Sequence, residues 1–150
     1  RSSAASDVYK RQEEDKYKSM NINEIVLFPA QLTETKTMKI CAEAKENIGN
    51  KFGIKAETNG IIVDEFIGET HITVRVETEG FYIEEEKVGI FKFDEKIEDE
   101  KKVILFLEAQ GVRILWSYIR EDLYTISSKM LPNPIMIPTI DVMKTLEKAE

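Results

Sequence analysis

The sequence predicts an α+β protein in which an antiparallel sheet is covered by a long helix and followed by an extended crossover and a short C-terminal helix. Three observations carry this expectation. Apolar residues recur with period two from Asn21 to about Phe93, they recur at three- and four-residue steps after Asp94, and three prolines then fall within LPNPIMIP. Strands grouped ahead of helices, instead of alternating with them, favour an antiparallel sheet over parallel βαβ units.

The strands follow in order. Ile22, Ile25, Val26 and Phe28 form a short first strand ended by Pro29, whose missing N–H suits an edge. Met38, Ile40, Ala42 and Ala44 alternate with Lys39, Cys41, Glu43 and Lys45, which gives one apolar and one mostly wet face. Phe52, Ile54 and Ala56 repeat the theme, and Ile61 to Val63 continue it after Asn59-Gly60. That dipeptide is a strong tight-turn signal, so a bulge and an extra hairpin both stay open at this point. Ile72, Val74 and Val76 alternate with Thr73, Arg75 and Glu77, the pattern of a half-buried antiparallel strand. Phe81 to Ile83 and Val88 to Phe93 complete the sheet.

The helical region carries Val103, Ile104, Leu107, Ile114, Leu115, Tyr118, Ile119, Leu123, Ile126 and Met130 on one face. Gly111 marks either a kink or a break into two helices. Glu98, Asp99 and Glu100 sit where a helix N-terminus favours negative charge. Pro132, Pro134 and Pro138 remove donors and bias their predecessors to extended backbone, so the crossing cannot be helical. Thr139 or Asp141 then caps a final helix containing Val142, Met143 and Leu146.

A chain of 150 residues, 42% hydrophobic and 33% charged, is globular in composition. Residues 20–150 are expected to form one domain. Residues 1–19 are read as a flexible leader, in part an adapter or cloning remnant, because RSSAASDVYKRQ is small, polar and unpatterned. The net charge of −7 disfavours nucleic acid, which needs clustered Lys and Arg. Cys41 is the only cysteine, which excludes an intramolecular disulfide or a thiolate metal cluster and points to the cytosol. No run of about 18 apolar residues crosses a bilayer, and no signal core is recognisable.

Chemistry finds little purchase. His71, the only histidine, is read as exposed and idle at the start of a strand. Neither phosphate-cradling glycine loop is present. Glu84, Glu85 and Glu86, like Asp94, Glu95, Glu98, Asp99 and Glu100, are read as solvated turns, and Cys41 as an unreactive thiol. The sequence therefore assigns no catalytic residue, no metal and no cofactor.

The stretch ILWSYIREDLYTISSKMLPNPIMIPTIDV resembles the SecB protein-export chaperone family, in which a helix with a Y-x-R-E core precedes a proline-flanked apolar crossing and a short helix. Tyr118, Arg120 and Glu121 match the core; Leu131, Pro132, Ile135, Ile137, Pro138, Ile140 and Val142 match the crossing. The likeness spans about residues 21–148, and it implies a four-stranded antiparallel sheet. Asp141 stands where the family often has Asn, and Ser117 where it often has Pro. Ile67-Gly68-Glu69-Thr70 is similar to the loop through which such chaperones touch the translocation motor SecA, which makes Ile67 and Glu69 the motor contact. The resemblance further implies an ATP-independent cytoplasmic chaperone for unfolded preproteins, assembled as a homotetramer from two dimers, with no cofactor and no membrane insertion.

One part of this has a physical basis of its own. The crossing carries more apolar groups than one side of an extended strand can bury. Either they close the core, or they line a client-binding groove made of Trp116, Leu131, Pro132, Ile135, Met136, Ile137, Val142, Met143 and Leu146, where methionine supplies adaptable contacts. Three other functions compete with general export: guarding an antitoxin, as SecB-like proteins also do; a small-ligand or hotdog-like thioesterase protein with a buried carboxylate; and a structural oligomerisation module.

Overall fold

Period-two patterning becomes four strands in the computed structural model, which describes residues 27–45, 52–78 and 80–149, the side chains of Leu146 and Ala149 excepted. They are β1 (Ala30–Ala44), β2 (Gly53–Ile62), β3 (Ile67–Thr78) and β4 (Phe81–Phe93), arranged in one fully antiparallel sheet in the order β1-β4-β3-β2. The expected leader and Ile22, Ile25 and Val26 lie outside the described residues. Phe28 belongs to no strand, and the ladder begins only after Pro29. Pro29 has no N–H to give, but its carbonyl accepts from the Asp94 amide at 2.9 Å and so ties the chain to the end of β4.

β1 is longer than expected, and its register slips between Leu32 and Glu34 and between Thr37 and Lys39. The second slip makes Met38 an extra residue, which leaves it 60% exposed instead of beside Ile40 and Ala42. β2 corrects the tight-turn expectation: its pairing with β3 runs unbroken through Asn59 and Gly60. Gly60 is there for space. A Cβ at that position would lie 2.9 Å from Leu107 Cβ, and one at Gly68 on the neighbouring β3 would lie 2.8 Å from Leu107 Cδ1. The two glycines thus open a slot for a helical leucine. The turn signal instead sits at Gly80, whose φ of 77° only glycine adopts readily, between β3 and β4.

The helical region spans Glu100 to Met130: α1 (Glu100–Phe106) and α2 (Val112–Met130) joined by a widened π-type turn over Leu107–Gly111. Asp99 caps it, its carboxylate accepting from the Lys102 amide at 3.2 Å. Gly111 therefore marks neither a break nor a simple kink. It lies where the helix presses on β3: an added Cβ would meet Thr70 Oγ1 at 2.1 Å, and that hydroxyl donates to the Leu107 carbonyl at 2.7 Å. A widened turn shifts the ladder within the helix, and the sheet supplies the Leu107 carbonyl with a donor there. After Met130 the chain runs in extended form along the flank of α2 that carries Trp116, Arg120 and Ser127, and ends in α3 (Val142–Ala149), capped by Asp141, whose Oδ1 accepts from the Lys144 amide at 3.0 Å.

The core lies between sheet and helix. Ile72, Val74 and Val76 of β3 and Phe81 and Ile83 of β4 meet Leu115, Ile119 and Leu123 of α2, all essentially without exposure. The other sheet face is largely polar. Across it Lys39, Glu84, Arg75 and Glu57, one from each strand, form a continuous ladder of contacts at 3.3, 3.3 and 3.0 Å. A hydrogen bond from Tyr82, with Lys39 and Arg75 close by, holds Glu84 below the usual carboxylate range. No helix among the described residues is long and apolar enough to cross a membrane.

Replacing Gly68 with Val is expected to cost about 1–3 kcal/mol, because the new side chain overlaps the δ-carbons of Leu107 in a packed interface. Urea unfolding should show a lower midpoint with an unchanged slope. In the Leu107→Ala background the cost should shrink, and strict additivity of the two changes would disprove the slot.

Candidate functional site

Among the described residues no strand pairs with the crossing, so its backbone polar groups need partners from side chains. α2 provides them from one stripe of its surface. Trp116 Nε1 donates to the Pro138 carbonyl at 2.8 Å, Arg120 Nε donates to the Ile137 carbonyl at 3.0 Å, and Ser127 Oγ accepts from the Ile135 amide at 2.7 Å. Leu131 is extended because Pro132 follows it, which ends the helix there. These contacts set the alternation of the crossing: Ile135 and Ile137 point into the core, and Met136 between them is 69% exposed.

The nine side chains assigned to a groove therefore divide. Ile135 and Ile137 are taken up by the core, because every second residue of an extended chain faces the same way, and Trp116 and Val142 join them there from α2 and α3. Leu131 is half-buried and packs against that core, while Pro132, Met136 and Met143 stay at the surface. The Leu146 side chain lies outside what is described. Beside Met143 a cleft of about 520 Å³ opens between the start of α2 and the approach to α3, lined by Ala109, Gln110 and Arg113 on one wall and Thr139 to Met143 on the other. It mixes apolar walls with one guanidinium, one amide and one carboxylate.

Of the Y-x-R-E core, Arg120 is the anchor of the crossing just described; Tyr118 and Glu121 face outwards from α2. Ile67 and Glu69 are not in a loop. They open β3 on the sheet face remote from the helix, where Glu69 bonds His71 at 2.9 Å. His71 is accordingly half-buried and engaged, not idle, and it sits well inside the strand.

The acidic run Glu84 to Glu86 also departs from its reading as a solvated turn: all three residues belong to β4. Glu85 is fully enclosed beneath α2, where Lys87 Nζ lies 3.4 Å from its Oε1 and 2.7 Å from Asp122 Oδ2, and donates to Thr37 Oγ1 at 3.0 Å. Burial, with the neighbouring Asp122 adding to it, pushes Glu85 up to about 8. Burial alone would lower Lys87 and raise Asp122, but Asp122 and Glu85 together raise Lys87, and Glu85 and then Lys87 lower Asp122. A neutral Glu85 has a proton to share with Asp122; an ionised one would set two carboxylates against one ammonium. The signal was legible: continuing the alternation from Phe81 and Ile83 to Gly89 and Phe91 puts Glu85 and Lys87 on the buried face.

A second cleft, of about 600 Å³, went unread in the sequence. Phe28, Phe93, Ile97, Val103 and Phe106 line it where the chain enters β1 and leaves β4. Phe106 stacks on Phe28 with ring centres 5.2 Å apart and meets Phe93 edge-on at 5.6 Å. Phe106 lies at a helical step from Val103, but its partners come from far along the chain.

No family model and no curated protein matches this sequence. Among solved structures, a SecB-like chaperone from Mycobacterium tuberculosis, in complex with a peptide from an antitoxin, superposes with a TM-score of 0.62 at 14% identity, over 75% of this chain and 88% of that one. A protein of unknown function from Streptococcus agalactiae superposes with a TM-score of 0.51 at 9% identity, over 73% and 96%. The chain thus has a SecB-like fold.

Glu85 makes stability depend on pH. Its folded pKa is raised, so the folded protein keeps a proton that the unfolded chain releases at lower pH, and stability falls as pH rises from about 4.5 to about 8. The loss should be on the order of a few kcal/mol. Glu85→Gln, neutral at every pH, should flatten that decline when urea midpoints at pH 5 and 8.5 are compared. An identical decline in both proteins would remove Glu85 as its cause.

Proposed function

We propose that the protein is an ATP-independent chaperone that holds non-native polypeptide at the surface around the crossing and α3. The observation that carries this reading is the outward placement of Met136 and Met143, 69% and 52% exposed, the first on a backbone that α2 holds at Ile135, Ile137 and Pro138 and the second on α3. An unbranched thioether on a fixed frame adapts to many apolar partners. Trp116, Ile135, Ile137 and Val142 serve as the foundation of that surface, and Leu131, Pro132 and the cleft at Arg113 form its borders.

The energetics favour gripping at a few points. Burying one such side chain gains about 1.5–3 kcal/mol, and ordering each client residue costs about 1–2 kcal/mol. A chain held only at its apolar positions and loose between them therefore stays bound without being folded, and linking several such surfaces in an oligomer raises affinity through effective concentration. A homotetramer built from two dimers would supply that linkage.

Export of preproteins is the primary reading, with Ile67 and Glu69 as the contact for SecA and the cytoplasm as the place of action. An antitoxin-guarding role is the second, favoured by the shared fold with a SecB-like chaperone solved with an antitoxin peptide. Both roles are non-catalytic. The rival thioesterase reading asks for a buried carboxylate at a substrate tunnel; Glu85 is buried, but it lines neither of the two clefts.

The test is suppression of aggregation of a reduced, unfolded client without ATP. The parent protein should slow it at near-equimolar ratio, and Met136→Asp combined with Met143→Asp should lose most of the effect while unfolding at an unchanged urea midpoint. A parent protein without effect would end the chaperone reading. Equal effect in both proteins would move the grip away from the crossing.

A further inference from the structure

The cleft beside Met143 differs from the rest of the surface around the crossing in holding a cation without a counter-charge. Arg75 lies between Glu57 and Glu84 on the sheet, and Arg120 bonds the Ile137 carbonyl. Arg113 is exposed, lines the cleft, and meets no carboxylate among the described residues. Its own helical region offers it none: the residues three and four positions away are Ala109, Gln110, Trp116 and Ser117, so no acid shares its stripe.

The other charges around the cleft have places of their own. Asp141 stands on the opposite wall, but its Oδ1 accepts from the Lys144 amide at 3.0 Å, which commits it to the cap of α3. Glu108 is turned to β2, where its Cγ lies 3.2 Å from the position of a Cβ on Gly60. Lys144, exposed next to Met143, adds positive charge on the α3 side. The net charge of −7 is spread over the whole chain and is screened beyond about 8 Å at physiological salt, so local pairing decides which charge the cleft accepts.

We propose that this cleft takes an Asp or Glu side chain flanked by apolar residues in a non-native polypeptide. The inference rests on the chaperone reading and names the class of segment that its surface prefers. A volume of about 520 Å³ is of the size that ligand clefts have. In an extended client alternate side chains point opposite ways. An acid turned to the α2 wall meets the guanidinium of Arg113 and the amide of Gln110, while its neighbours turn to Ile140 and Met143. The planar fork of an arginine matches a carboxylate with two parallel hydrogen bonds. An exposed ion pair alone contributes little; here the apolar neighbours of the acid cover the pair and displace water, which strengthens it. A lysine in the same place would set like charges together, and a glutamine would bond without the charge.

The test uses fluorescent nine-residue peptides of alternating Ser and Leu, acetylated and amidated at their ends, with Glu, Gln or Lys at the centre between two leucines. The full-length parent should bind the Glu peptide at least fivefold more tightly than the Gln peptide and the Lys peptide most weakly, and the differences should shrink in about 0.5 M salt. Arg113→Glu should reverse the order, with the Lys peptide bound at least fivefold more tightly than the Glu peptide. Arg113 is exposed, so the variant should unfold at the parent's urea midpoint; if it does not fold, the Glu-to-Gln ratio of the parent decides the matter. Equal binding of the Glu and Gln peptides, or an order that Arg113→Glu leaves unchanged, would overturn the proposal and leave the chaperone reading intact, as would a parent that binds no peptide yet suppresses aggregation. Absence of both peptide binding and aggregation suppression would overturn both. A fourth peptide, with Gln at the centre and a free C-terminal carboxylate, separates the sources of the charge. Preference for it without preference for Glu would make a chain terminus the occupant and overturn the internal side chain.

Discussion

The crossing from Pro132 to Ile140 carries polar backbone groups that no helix or described strand satisfies, and side chains of α2 supply partners for three of them. Trp116, Arg120 and Ser127 each meet one backbone group of the crossing. An unpaired buried carbonyl or amide costs about 1–3 kcal/mol, so these three contacts select one register among the many an extended segment can adopt. Once that register is set, the twofold alternation of an extended chain decides the rest: Ile135 and Ile137 fill the core and Met136 cannot. The candidate surface is thus a consequence of how the backbone is held, more than of which apolar residues the crossing contains.

The helix above the sheet depends on a second constraint, close approach. Leu107 enters a slot left by Gly60 and Gly68, Leu115 lies over Gly89, and Gly111 rests on Thr70. Small residues at all four contacts bring the helix near enough for Thr70 to serve the Leu107 carbonyl. The same proximity encloses Glu85 with Lys87 and Asp122. A carboxyl so placed is neutral at neutral pH, and the helix–sheet interface keeps a titrating group inside it.

Taken together, the molecule has two unlike surfaces: a methionine-bearing margin at the crossing and a charged ladder across the outer sheet face. The ladder of Lys39, Glu84, Arg75 and Glu57 keeps much of that face polar and hydrated.

The sequence by itself determined the architecture. Periods of two and of three to four residues report which side of an element is apolar, and the three prolines exclude a helix in the crossing whatever surrounds it, so strands, long helix, crossover and final helix were all legible. Tertiary structure alone decided what depends on residues distant in the chain. The Asn59-Gly60 pair carries a turn's local preference, but Leu107 takes the space beside Gly60 and the strand runs straight. The Glu84–Glu86 run has a turn's polarity, yet the alternation set by Phe81 and Phe91 turns Glu85 inwards under Asp122. For the groove the sequence could name the apolar residues but not their directions, because the side an extended segment shows to solvent depends on which of its carbonyls and amides find partners on another element.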